Sequence, residues 1–140
     1  MLRAARPAVT WDGLGQVLSA LCIGHCVGLP LVLALLPAAV AEILEGEAVH
    51  QGLIAFVVFT ALLAFLPGYR VHQRGSVVGL AVVALTLLVS AAFLLPEEGG
   101  RLVEATEMGL TLGGGVLMAI AHWRNRALCR ACCEPRRQSA

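Results

Sequence analysis

The sequence predicts an all-α integral membrane protein, a four-helix bundle with both chain ends on the same side of the bilayer (N-in/C-in). Three observations carry that expectation. The 140 residues are 59% hydrophobic and only 14% charged, against roughly 45–50% and about 25% in average soluble domains. Four apolar runs are each long enough to cross a hydrocarbon core about 30 Å thick, which takes about 20 helical residues. The arginines, finally, are segregated between alternate loops. One domain is expected over residues 1–140. A net charge of +1 gives no reason to expect a nucleic-acid partner, and disorder or a secreted disulfide scaffold fits equally badly.

Between Asp12 and Glu42 the only ionisable side chains are Cys22, His25 and Cys26, which predicts a long first helix over about 11–40 with Pro30 and Pro37 inside. Arg3, Arg6 and the triplet Ala39-Val40-Ala41 imitate a cleavable signal peptide. Signal h-regions run only about 7–15 residues, and this stretch is twice that. Gln51 to Tyr69 carries no charge, nor does Gly75 to Pro96, predicting helices over 49–67 and 76–95. The fourth, 102–123, is apolar except for Glu104 and Glu107 near its start and His122 near its end. No run alternates with period two, so barrel strands are not expected, and helices satisfy the backbone in lipid. Residues 124–140 read as a cysteine-rich tail.

All ten basic residues are arginine. Arg3 and Arg6, Arg70 and Arg74, and Arg124, Arg126, Arg130, Arg136 and Arg137 fall on one side of the predicted bundle. The other side holds Glu42, Glu45, Glu47, Glu97 and Glu98 with Arg101 alone. The excess of arginine marks the cytoplasmic side, so both termini are expected there. Trp11, Tyr69 and Trp123 then sit at the cytoplasmic ends of helices, where interfacial aromatics belong.

Five cysteines and four histidines carry the chemistry. The first helix contains Cys22-Ile23-Gly24-His25-Cys26. Spacing i to i+4 puts the two thiols on one helical face with Cβ atoms roughly 5–6 Å apart. At about 1.5 Å per residue from Trp11 they lie about 16 and 22 Å in, near mid-bilayer. Asp12, Gln16 and Ser19 continue the same stripe, and Pro30 leaves the carbonyl of Cys26 without its helical partner. Cysteine also serves membrane helices as a small apolar residue. A pair on a polar stripe interrupted by proline favours the metal-ligand reading. The order C-x-x-H-C is wrong for haem attachment.

The tail carries Cys129, Cys132 and Cys133 among Arg126, Arg130, Arg136 and Arg137, and nearby positive charge favours thiolate. The cytosol keeps thiols reduced. A soft-metal relay is preferred there to palmitoylation, the usual reading of juxtamembrane cysteines. A second stripe on the fourth helix holds Glu104, Glu107, Met108, Thr111, Gly115, Met118 and His122. Its acids either face a cavity or lie in the outer interface at a helix N-terminus, and both readings stand. Glu47 and His50, at the outer end of the second helix, are candidate first ligands. His72, between two arginines, reads as a solvated loop histidine, and Gly113-Gly114-Gly115 as permitting close helix packing.

Asp12, Ser19, Cys22-x-x-His25-Cys26, Pro30, Glu47 with His50, Gly68-Tyr69-Arg70-x-His72, Asn125-Arg126 and the cysteine-bearing tail together resemble the MerC family of mercuric ion transport proteins. The resemblance spans nearly all of the chain, and the cysteine pair with its histidine and proline is its most specific part. It implies a multi-pass carrier of the bacterial cell inner membrane, not an enzyme, with Hg(II) as cargo and no resident cofactor. It places the membrane site on Cys22 and Cys26 and the inner site on the tail cysteines. Its implied partners are the metal ion, the lipid bilayer, a cytoplasmic mercuric reductase and a periplasmic metal carrier.

A bare divalent ion is prohibitively costly in hydrocarbon, whereas two neutral thiols that release protons and bind M(II) form a net-neutral complex. Thiolates also select soft ions over Mg and Ca. Transport of Zn, Cu or Cd is one alternative, and membrane thiol–disulfide oxidoreduction is another. The latter needs cysteines facing an oxidising compartment, and neither outer loop contains one.

Overall fold

The computed structural model describes residues 10–21, 23–24, 28, 35, 37, 40, 47–96 and 100–133, with the backbone alone at 47–50 and 133. The described residues form helices and no strand. Helix α1 covers residues 10–21, with 23–24 and 28 also helical. It is followed by α2 Glu47–His72 (26 residues), α3 Gly75–Phe93 (19) and α4 Gly100–Cys133 (34). At about 1.5 Å per residue the last three measure about 39, 28 and 51 Å. All three are long and apolar enough to cross a membrane.

Three boundaries differ clearly from the sequence expectation, the simplest being that α2 runs on through Pro67 to His72 instead of ending at 67. The first helix does not run unbroken to residue 40. Leu35 lies in a turn, Pro37 is non-helical, and the Val40 N–H donates to the Pro37 carbonyl at 2.9 Å. Proline disfavours helical backbone at the residue before it and lacks an N–H, which an apolarity count cannot register. At the other end, α4 continues through Cys133 instead of stopping at 123. Six of residues 124–133 are Arg, Ala or Leu, all good helix formers. Arg124 and Arg130 are exposed there while Asn125 and Cys129 are buried, so the extension keeps an inward face after the apolar run ends.

Two residues join α2 to α3. Gln73 takes left-handed backbone (φ 54°) and donates its N–H to the Tyr69 carbonyl at 2.8 Å, closing α2. Arg74 caps α3 in extended conformation. So short a connection makes the two helices antiparallel neighbours.

The helices meet along heptad-spaced seams. Helix α3 buries Val77, Ala81, Ala84, Leu88 and Ala91, and α4 buries Gly114, Met118, Ala121, Asn125 and Cys129. Helix α2 contributes Ile54, Val57, Ala61, Ala64, Phe65 and Gly68. Steps of three and four are those of left-handed packing at a shallow angle. Small residues dominate because lipid is as apolar as leucine and close backbone approach must supply the attraction. The glycine run of α4 serves two neighbours at once. A Cβ on Gly114 would press into Leu88 and the Ala84 carbonyl of α3, and one on Gly115 would come within 3.3 Å of Ile23 of α1. Phe56, Phe59, Leu62, Leu66, Val82, Val83, Val116 and Ile120 stand on the opposite, exposed faces.

Candidate functional site

The first turns of α1, the end of α2 and the later turns of α4 converge on a buried polar cluster. Helix α1 runs antiparallel to α4, with Gly15 against His122 and Ile23 against Gly115. That register brings Asp12 of α1 between His122 and Asn125 of α4. Asp12 and Asn125 are fully buried, and His122 and His72 are 1% and 8% exposed. A buried carboxylate is costly unless hydrogen-bonded, and each oxygen here has a donor. Asp12 Oδ1 lies 2.9 Å from His122 Nδ1, and Oδ2 accepts from Asn125 Nδ2 at 2.7 Å.

The chain of bonds then fixes its own donors and acceptors. The Asn125 amide nitrogen also donates to the Ala64 carbonyl at 3.3 Å, so its Oδ1 is the acceptor facing His72 Nε2 at 2.8 Å. His72 Nδ1 accepts the backbone N–H of Arg74 at 2.9 Å. A ring that accepts at Nδ1 and donates at Nε2 is the neutral tautomer. Three helices and the α2–α3 connection are thereby joined through four side chains.

Packing holds the cluster in place. Phe65 stacks on His122 with ring centroids 4.7 Å apart. Gly15 and Gly68 are required by close approach, since a Cβ on the first would overlap the His122 imidazole and one on the second the Asn125 amide. Arg126 reaches α1 and donates to Gln16 Oε1 at 3.1 Å, while the Ser19 hydroxyl bonds back to the Gly15 carbonyl at 2.9 Å. Trp11 meets Phe59 edge-on at 6.4 Å, and Trp11, Tyr69 and Trp123 all adjoin cluster residues in sequence. Aromatics of this kind mark a membrane–water boundary.

The sulfur ligands expected from sequence divide between these surroundings and positions outside the description. Cys129 is fully buried, on the same face of α4 as His122 and Asn125, and Cys132 is an exposed thiol on the helical extension; neither is in a disulfide. Cys22, His25 and Cys26 lie outside the described residues. Glu47, His50 and Cys133 lie on helical backbone, their side chains likewise outside. Among the described residues no three His, Cys, Asp or Glu side chains group as a metal site.

His72 corrects its sequence reading. It is the last residue of α2 and buried, since positions 61, 65, 68 and 72 share one helical face. Asp12 and His122 were legible as polar residues on apolar helices. Gly68 and Asn125 carried no signal beyond their place in the family resemblance, and Gly15 carried none.

Long apolar helices, an aromatic-flanked polar cluster and thiols along α4 define a small multi-pass membrane protein. Four of the residues that carried the resemblance, Asp12, Gly68, His72 and Asn125, turn out to touch one another within that cluster. The chain belongs to the MerC mercury resistance protein family, whose model matches residues 12–127, and that membership ties it to mercury resistance. No curated protein and no solved structure matches it.

Proposed function

We propose that the protein carries Hg(II) inward across the bacterial inner membrane by thiol ligand exchange. The ion passes from Cys22 and Cys26, with His25 beside them, to Cys129, Cys132 and Cys133 at the far end of α4. Glu47 and His50 meet it first on the outer side. The single observation that carries this reading is the family match over residues 12–127, which spans the cysteine pair and the polar cluster. Charge supports it, because two thiols that lose their protons on binding Hg(II) leave no net charge in the lipid, and soft thiolates reject the abundant hard cations. The arginine asymmetry supports cytoplasmic termini, which delivers the cargo toward a cytoplasmic reductase.

Uptake of radiolabelled Hg(II) by cells tests the route. Cys22→Ser, Cys26→Ser or the double variant is expected to abolish protein-dependent uptake at unchanged membrane abundance. Cys132→Ser should only reduce it, and competition by Zn(II) or Cd(II) reports selectivity. Undiminished uptake by the double variant overturns the proposal.

A further inference from the structure

The arginines gathered at one end of the bundle have no counter-charge there. Among the described residues Arg70, Arg74, Arg124 and Arg130 are exposed at that end, and Arg126 is half-buried. The one carboxylate near them among the described residues, Asp12, is fully buried with both oxygens hydrogen-bonded. The field around this end is therefore positive and attracts anions.

Two of these arginines stand together beside α1. At 100° per residue, Trp123, Arg126 and Arg130 fall within about 60° of one another on α4. Arg126 reaches across to α1, donating from Nη1 to Gln16 Oε1 at 3.1 Å, and it lies 3.8 Å from the place that a Cβ on Gly13 would take. Its Nε is buried and has no hydrogen-bond partner, and a buried donor without an acceptor is costly. Nε and Nη2 form one edge of the guanidinium fork, and that edge matches a pair of phosphate oxygens. Arg130, one turn further on, brings a second cation. Trp123, 62% exposed, sets an amphipathic ring at headgroup depth. Toward the bilayer interior, Val17 of α1 and Val116 of α4 are 56% and 46% exposed, apolar surface against which an acyl chain can lie.

We propose that Arg126 and Arg130, flanked by Trp123, form a binding site for the phosphate of an anionic phospholipid such as phosphatidylglycerol. The occupant is a lipid and not free phosphate, because the two guanidinium groups lie at the level of the interfacial aromatics and apolar surface continues inward from them. Its headgroup carries net negative charge, because a zwitterionic one would bring a second cation toward Arg130. The site needs neither the cargo nor the ligands proposed for transport; it rests only on the helices crossing a bilayer.

Quenching of Trp123 by brominated lipid tests it. The full-length protein with Trp11→Phe keeps Trp123 as its one tryptophan. It is reconstituted in phosphatidylcholine vesicles that hold a fixed fraction of dibrominated phosphatidylglycerol, or the same fraction of dibrominated phosphatidylcholine. Stronger quenching by the brominated phosphatidylglycerol is expected, and the preference should fall roughly fivefold for each arginine removed by Arg126→Gln and Arg130→Gln. Arg130 is exposed, so Arg130→Gln alone still decides the matter should Arg126→Gln fail to fold. Arg70→Gln with Arg74→Gln should keep the preference. Equal quenching by the two lipids overturns the proposal. So does a preference unchanged by Arg126→Gln and Arg130→Gln, or one lost as fully with Arg70→Gln and Arg74→Gln, which would mean a diffuse positive field and no site. Relief of the quenching by millimolar inorganic phosphate, against chloride at equal ionic strength, overturns the choice of a lipid.

Discussion

A carboxylate, an amide and two imidazoles meet where three helices converge, and two missing side chains make room for them. Gly15→Ala and Gly68→Ala each force a methyl into a ring or amide that has nowhere to go. Overpacking of this kind costs about 1–3 kcal/mol, and a lowered midpoint of denaturant unfolding in detergent is the check. An unchanged midpoint for both would mean that the cluster tolerates displacement. Asp12→Ala goes further, leaving His122 Nδ1 without its acceptor and Asn125 Nδ2 with the Ala64 carbonyl alone, and removal of one buried charged partner costs about 3–5 kcal/mol. Failure of that variant to accumulate in membranes is the expected outcome. At this scale the sequence was half legible. An aspartate and a histidine on apolar helices announce themselves, whereas His72 between two arginines looked solvated because adjacency in sequence hides which way a helical side chain faces.

Among the elements, charge-free runs located α3 and the start of α2 closely, while the last turn of α2, past Pro67 to His72, went unread. What they could not locate was any boundary decided by backbone chemistry: the turn at Leu35 and Pro37, and the continuation of α4 through residues that are polar on one face only. Gln73 shows the same dependence on backbone. It holds a left-handed conformation (φ 54°) that costs a non-glycine residue roughly 1–2 kcal/mol, while its side chain makes only an exposed 3.4 Å bond to the Arg70 carbonyl. Gln73→Gly is therefore expected to stabilise the α2–α3 hairpin by about 1 kcal/mol, read as a raised unfolding midpoint. A lowered midpoint would show that the side chain matters more than its backbone strain.

For the whole molecule, the membrane class followed from composition, and the sidedness proposed from arginine placement is open to direct test. Cys132 is exposed and Cys129 is enclosed. A membrane-impermeant maleimide, with modified positions mapped by mass spectrometry, is expected to label Cys132 in inverted vesicles and not in intact cells. Cys129 should react only after denaturation. Labelling of Cys132 in intact cells would reverse the proposed orientation.

The 34 residues of α4 make a rod of about 51 Å, against about 40–45 Å for a bilayer with its headgroups. Nine residues separate Trp123 from Cys132, about 14 Å of rise, which exceeds the depth of one headgroup layer. Under the transport proposed above, a soluble acceptor would collect cargo from a projecting mast in bulk water, with no need to wet or breach the lipid surface beneath it.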